Sequence, residues 1–193
     1  MVHPIIAMFF PVVEISDKIN FLRIRSPFTE HPPSPGVWEV ELQSGAIKHG
    51  DLYKLKVRWN GGEGERIPAW ANRVVQDEQT KIFSAQVWEP ENPYRFRKKV
   101  FRAKTDPLMI YECHIGMAQE EERVGTYNEF REKILPRIAE AGYNCIQIMA
   151  IQEHPYYGSF GYHVSSFFAP SSRFGTPSKR NSSIQYLQLD SKK

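Results

Sequence analysis

Between Leu108 and Ala150 two nearly continuous apolar runs bracket one well-punctuated helical segment, and few architectures accommodate that order. The runs are Leu108-Met109-Ile110-Tyr111-Glu112-Cys113-His114 and Cys145-Ile146-Gln147-Ile148-Met149-Ala150. A strand that buries one face alternates apolar with polar residues, whereas a strand covered on both faces reads as continuous apolar text. Between the runs, Thr126 stands as an N-cap with Glu129 three residues on to complete a capping box. Phe130, Ile134, Ile138 and Ala141 then recur on one face, and Gly142 marks the C-terminal stop. Pro136 removes one helical hydrogen bond, so a kink or two short helices are expected. Residues 108–150 thus predict a βαβ unit with a right-handed crossover, and one such unit does not close a core by itself.

Upstream the period is different. Val37-Trp38-Glu39-Val40-Glu41-Leu42 is rich in β-branched and aromatic residues, and residues 51–59 set Tyr53, Leu55, Val57 and Trp59 against Lys54, Lys56 and Arg58. Lys81 to Trp88 offers a further strand, with turn signals at Lys48-His49-Gly50-Asp51 and Asn60-Gly61-Gly62-Glu63-Gly64. Strands so spaced, with no helical segment among them, predict a small antiparallel sandwich. Residues 1–36 match neither pattern: an apolar start is followed by mixed text and by His31-Pro32-Pro33-Ser34-Pro35-Gly36, a loop or linker because proline cannot donate to a ladder. Glu89-Pro90-Glu91-Asn92-Pro93 and the basic stretch to Lys104 read as a connector.

Composition excludes several function classes. Hydrophobic residues at 41% and charged residues at 24% of 193 argue for a globular chain over a disordered one. The apolar N-terminus has no preceding Lys or Arg, no small-residue cleavage site, and falls short of the roughly 20 residues of a membrane span, so neither export nor membrane insertion is expected. A net charge of +3 without a long basic run gives little reason to expect a nucleic-acid partner. Cys113 and Cys145 are too few for a disulfide framework and lack metal-site spacing, which fits two buried thiols in a reducing cytoplasm. An aromatic content of 13% is compatible with ring platforms for sugars, although most rings, Trp38, Trp59 and Trp70 among them, are expected in cores.

After the second apolar run comes a long, aromatic, Gly-punctuated segment, Gln152-Glu153-His154-Pro155-Tyr156-Tyr157-Gly158-Ser159-Phe160-Gly161-Tyr162-His163, continuing through Phe167-Phe168-Ala169-Pro170-Ser171-Ser172-Arg173-Phe174-Gly175-Thr176-Pro177. It leaves the C-terminal end of a predicted parallel strand, where α/β barrels build their sites. This stretch resembles the loop after the second barrel strand in 1,4-α-glucan branching enzymes of glycoside hydrolase family 13. The runs 110–117, Leu135-Pro136-Arg137-Ile138 and 142–147 resemble the same family. His49-Gly50-Asp51-Leu52-Tyr53-Lys54-Leu55 and Arg66-Ile67-Pro68-Ala69-Trp70-Ala71 are similar to later strands of its family 48 carbohydrate-binding module. The resemblance covers about residues 36–177.

The resemblance implies a mixed fold, a partial immunoglobulin-like antiparallel β-sandwich followed by the first βαβ of a (β/α)8 barrel. Its expected divisions are 1–36 (outside the family pattern), 37–105 (partial sandwich and connector), 106–177 (first part of the barrel) and 178–193 (a polar tail). It implies an α-glucan partner, such as glycogen, starch or amylose, and a transferase that makes α-1,6 branches through retaining chemistry. That chemistry needs two carboxyl groups about 5 Å apart and no metal or cofactor, so none is expected. In the family those carboxylates come from later strands, so no catalytic residue is expected in this chain. Tyr162 matches the tyrosine that stacks on the sugar at the cleavage subsite, and His163 stands where many members have Gln. His154 and Arg173 match motif positions that serve either substrate contact or loop architecture. Gly36, Val37 and Lys56 match positions at a glucan-binding surface, and an outward charge on an alternating strand accounts for Lys56 equally. Because a complete barrel needs about 250 residues, a chain truncated at both ends and inactive alone is expected. A non-catalytic glucan-binding module is the alternative, and complementation of a full-length enzyme is a third reading.

Overall fold

The computed structural model describes residues 5–8, 12–16, 29–30, 37–40, 42, 44–95 and 107–181, and gives side-chain positions over 44–95 and 107–181. Gly36, the Pro-rich stretch before it, most of the basic connector and residues 182–193 lie outside the described residues, as does the side chain of Trp38. Backbone contacts divide the chain into two units, Met1–Pro90 and Glu91–Lys193.

In the first unit, β1 (Ile5–Met8), β2 (Val12–Ser16) and β3 (Thr29–Glu30) precede β4 (Val37–Val40). They are followed by β5 (Leu52–Trp59), β6 (Gly62–Arg66), β7 (Val74–Gln76) and β8 (Phe83–Gln86). One sheet has the order β1-β4-β3; in the other, β2-β5-β8-β7, β6 also pairs with β5. All these pairs are antiparallel. Residues 1–36, read as lying outside the family pattern, contain β1, which pairs with β4, and β2, which pairs with β5. The β-branched run Val12-Val13-Glu14-Ile15 suits a pleated ladder, and the partner it pairs with is set by what it meets across the sheet.

The alternation of β5 has the predicted consequence. Leu55 and Val57 are buried, together with Ala71, Val74 and Ala85. The opposite positions carry charge: Lys56 Nζ lies 2.9 Å from Glu63, Arg58 Nε 3.0 Å from the same carboxylate, and Lys54 3.7 Å from Glu65. β6 itself was read only as a turn. Its glycines disfavour a strand, but the antiparallel register places Gly62 opposite Trp59 and Gly64 opposite Val57, and a Cβ on Gly62 would stand 3.1 Å from the Trp59 ring. Trp59 and Trp70, expected in the core, are 39% and 68% exposed. The Trp59 indole extends past the buried end of β5 over the hairpin glycines, with the Arg66 guanidinium 5.3 Å from its ring centre.

The second unit contains the predicted βαβ. β9 (Ile110–His114) and β10 (Cys145–Met149) are parallel, Ile110 opposite Cys145 and His114 opposite Met149. Asn144 fixes the start of the pair: its Oδ1 accepts from Met109 N–H at 2.8 Å and its Nδ2 donates to Pro107 O at 3.0 Å. The helix begins as predicted, Thr126 Oγ1 accepting from Glu129 N–H at 3.3 Å while Thr126 N–H donates to the Glu129 carboxylate at 3.0 Å. Arg123 and Thr126 hydrogen-bond that carboxylate and hold its pKa down to about 2.

Pro136 breaks the helix in two, α1 (Tyr127–Glu129) and α2 (Leu135–Glu140), joined by a π-helical turn over Phe130–Ile134. Within that turn Leu135 N–H donates to Phe130 O, five residues back, and the wider coil lets the chain enter α2 with the proline in its first turn. Gly142, at φ +91°, ends α2; its N–H donates to Ala139 O and Tyr143 N–H to Ile138 O, a Schellman arrangement. The core of this unit joins Cys113, Ile115, Tyr127, Phe130, Leu135, Ile138 and Phe174.

The first apolar run is not covered on both faces as its composition predicts. Leu108, Met109 and Ile110 are half or more exposed, and only Cys113 and His114 of β9 are buried. A single helical layer packs against one side of a two-stranded sheet, so one face lacks a covering layer among the described residues. Residues 177–181, expected as a polar tail from 178, begin a helical turn in which Arg180 N–H donates to Thr176 O at 3.1 Å. Among the described residues no helix is long and apolar enough to cross a membrane.

Candidate functional site

The long segment after β10 is a folded loop whose shape depends on three left-handed residues. Ala150 (φ +56°), Phe160 (φ +51°) and Gly161 (φ +83°) reverse the chain at the strand's C-terminal end. A Cβ on Gly161 would lie 2.3 Å from Ala150 Cβ and 2.4 Å from its Cα, so only glycine permits this approach. Short-range bonds close the tip: Ser159 N–H donates to Tyr156 O at 3.1 Å, Phe160 N–H to Tyr157 O at 2.9 Å and Tyr162 N–H to Ser159 O at 3.0 Å. The result is Tyr162 at 76% exposure, next to the exposed His163 and two residues after the exposed Phe160.

The two arms of the loop pair as β11 (Gln152–Glu153) and β12 (Ser166–Pro170). Gln152 opposes Pro170 and Glu153 opposes Ser166, and the register shift between them leaves Phe167 and Phe168 in a bulge, 69% and 56% exposed. After β12 a 3₁₀ turn, Ser172–Phe174, returns the chain to the core.

That turn meets β11 through charge. Glu153 is fully buried; its Oε2 accepts from Ser172 N–H at 2.6 Å and its Oε1 is 3.5 Å from Arg173 Nη1. Arg173 also donates from Nη1 to His154 O at 2.5 Å and from Nη2 to Pro155 O at 2.8 Å. His154 is fully buried with Nδ1 2.9 Å from Gln152 O. Beneath the loop His114 accepts at Nδ1 from Gly116 N–H at 3.1 Å. Burial, then the proximity of His154, lowers the His114 pKa, so the imidazole is neutral at pH 7. Phe174 stands between the two imidazoles, its ring centre 5.7 Å from His114 and 6.2 Å from His154. Gly116 admits this packing, since a Cβ there would meet the Phe174 ring at 2.7 Å and Tyr157 Oη at 2.8 Å.

The sequence-predicted site residues therefore fall in different settings. Tyr162 is at the exposed tip, His154 and Arg173 are at the loop's neck, and Lys56 is on the outward charged face of β5 in the first unit, paired with Glu63. Val37 is the first residue of β4, and Gly36 lies outside the described residues. Sequence reasoning gave no role to Glu153, His114 or Phe174; a carboxylate at the exit of an apolar strand was the available signal for the first. Cys113 offers no nucleophile, because burial and then the Glu112 charge push its thiol up to about 11. Cys113 and Cys145 are both free thiols, the second only partly buried where full burial was expected. Among the described residues no group of three His, Cys, Asp or Glu side chains is placed to hold a metal ion.

No family profile matches the sequence. Among curated proteins, the chain is 43% identical over 158 residues to a 1,4-alpha-glucan-branching enzyme of Dictyostelium discoideum, covering 77% of this chain and 23% of that protein. It is 48% identical over 143 residues to the 1,4-alpha-glucan-branching enzyme of Saccharomyces cerevisiae, covering 68% and 20%. Among solved structures, it superposes with a TM-score of 0.75 at 18% identity on a Salmonella typhimurium protein assigned as an alpha amylase, covering 96% of this chain and 29% of that one. On the pullulanase from Anoxybacillus sp. LM18-11 complexed with maltotriose the TM-score is 0.67 at 16% identity, covering 96% and 31%. The chain thus spans about a fifth of the length of these curated relatives, is similar over most of its own length to proteins named 1,4-alpha-glucan-branching enzymes, and shares its fold with part of amylase and pullulanase chains.

Proposed function

We propose that this chain is a segment of a cytoplasmic 1,4-alpha-glucan branching enzyme and that its own task is to hold an α-glucan such as glycogen, starch or amylose. In this reading the first unit is part of an immunoglobulin-like carbohydrate-binding sandwich of family 48, and the second is the first βαβ of a (β/α)8 barrel. Two observations support it. The curated relatives bear that name at 43% and 48% identity, and the parallel pair β9–β10 delivers its loop at the strands' C-terminal end, where barrels place their sites. The observation that carries the glucan assignment is Tyr162, an exposed ring whose backbone is fixed by Gly161 against Ala150. A ring held in place can stack on the apolar face of a glucose unit and orient the bond to be cut. Lys56, Val37 and Gly36 would contribute a second glucan contact on the sandwich.

Retaining transfer requires a nucleophilic carboxylate and an acid/base carboxyl about 5 Å apart. At this site the buried carboxylate is Glu153, already engaged by Ser172 and Arg173, and Glu112 accepts from Gln147 at 3.1 Å. We therefore assign the covalent chemistry to residues beyond these. The 193-residue chain incubated with amylose should give no new α-1,6 linkages, and their appearance would refute that assignment. The same chain should be retarded in gels containing glycogen, and Tyr162→Ala should reduce the retardation; free migration of the unaltered chain would dispose of the glucan reading.

A further inference from the structure

The geometry points to Glu153 and Arg173 as a bolt that positions the aromatic loop, with neither side chain touching sugar; this assignment rests on the glucan reading of Tyr162. Both terminal nitrogens of the Arg173 guanidinium have protein partners. Nη1 and Nη2 donate to the carbonyls of two successive residues, His154 at 2.5 Å and Pro155 at 2.8 Å, and Nη1 also faces Glu153 Oε1 at 3.5 Å. Its partner Glu153 is fully buried, so a glucan cannot reach that carboxylate. Burying a carboxyl group is costly without partners, and here the Ser172 N–H donates to Oε2 at 2.6 Å while the Arg173 guanidinium lies 3.5 Å from Oε1.

The position of the pair in the chain gives the bolt its purpose. Glu153 ends β11, and Arg173 lies in the turn after β12, so together they clamp the two ends of the segment 154–172. Tyr162 follows Gly161, which packs back against Ala150 at the strand end, three residues before Glu153. The bulge at Phe167 and Phe168 interrupts the ladder between the two arms, and β11 contributes two residues to it. The neck is therefore where the arms' separation is set, and a change there is carried to the tip by a chain reversal that tolerates no added Cβ. A stacking ring is sensitive to such displacement, because an error of about 1 Å in orientation removes much of the benefit of pre-positioning. Lysine would not serve in place of Arg173: its ammonium is a point charge and cannot span two adjacent carbonyls with a planar fork.

The test titrates the 193-residue chain with maltoheptaose and measures amide hydrogen exchange of the same proteins. Arg173→Lys should weaken maltoheptaose binding roughly tenfold or more with the far-UV spectrum unchanged. In a Tyr162→Ala background, the same substitution should cause no further loss, since the bolt acts through that ring. Glu153→Gln should behave like Arg173→Lys, and if it fails to fold the lysine variant carries the test. Unaltered binding by Arg173→Lys, or an equal loss with and without Tyr162, overturns the assignment. If the unaltered chain does not bind maltoheptaose, the glucan reading fails. The bolt is then judged by exchange alone: residues 155–168 should exchange faster in Arg173→Lys than in the parent while the α2 amides keep their rates, and unchanged rates across 155–168 overturn it.

Discussion

The two units differ in what approaches their glycines, although Gly62 and Gly64 of the first stand close to the Trp59 and Arg66 side chains and Gly142 of the second serves a turn alone. In the first, Gly45, Gly50 and Gly61 have positive φ and nothing within 4 Å of where a Cβ would stand, so they are present for the turn alone. In the second, Gly116 and Gly161 are places where another group must approach: the Phe174 ring and Tyr157 hydroxyl at one, the Ala150 backbone at the other. The first unit is organised by strand register, with its chemistry displayed as a row of charges on the outer face of the β5–β6 hairpin. The second is organised by close approach, with imidazoles, a carboxylate and a guanidinium packed under a loop. A binding surface built in the first way tolerates change, and one built in the second transmits it.

The largest expected effect tests that packing directly. Phe174 is fully buried against His114, His154 and Tyr127, so Phe174→Ala should cost about 3–5 kcal/mol and accelerate hydrogen exchange through 110–116 and 152–173. Exchange in β5 and β6 should be unaffected if the units are organised independently, and a matching loss there would break the comparison.

A paired substitution then sharpens it. Gly61→Ala should cost about 1–2 kcal/mol, the strain of a left-handed alanine in open space. Gly161→Ala adds a backbone collision to the same strain and should cost about 1–3 kcal/mol more, read from urea denaturation. Equal costs at the two sites would remove the distinction.

The smallest effect is a pH dependence confined to the second unit. The folded pKa of His114 lies below its ordinary value, so the unfolded chain takes up this proton more readily than the folded one. Stability from this group is therefore complete above about pH 6.5 and is lost as pH falls from there toward the lower folded value. Thermal unfolding between about pH 7.5 and 5.5, on either side of the ordinary imidazole pKa, should show a decline that His114→Gln diminishes. Glu129 has the same sign in a lower window, its contribution being lost as pH falls below the usual carboxylate range toward about 2.

Local chemistry was legible wherever neighbours in sequence are partners in space. Thr126 and Glu129 cap the helix, Gly142 ends it, Pro136 divides it, and Leu55 and Val57 turn inward from Lys54 and Lys56, because each of these depends on spacings of about four residues or fewer. The βαβ order and the location of the aromatic loop came from the same short-range text. Tertiary structure alone decided the rest. The pairing of β1 with β4 and β2 with β5, the strand at Gly62–Arg66, and the exposure of Trp59 depend on what each segment meets across the sheet. So does the neck of the loop. In the sequence Arg173 is a charged residue in a family-like motif, equally suited to sugar or scaffold, and Glu153 lies far before it along the chain. Their contacts were decided when the antiparallel return of β12 brought the guanidinium beside two carbonyls and a buried carboxylate, a distance in space that no spacing along the chain encodes.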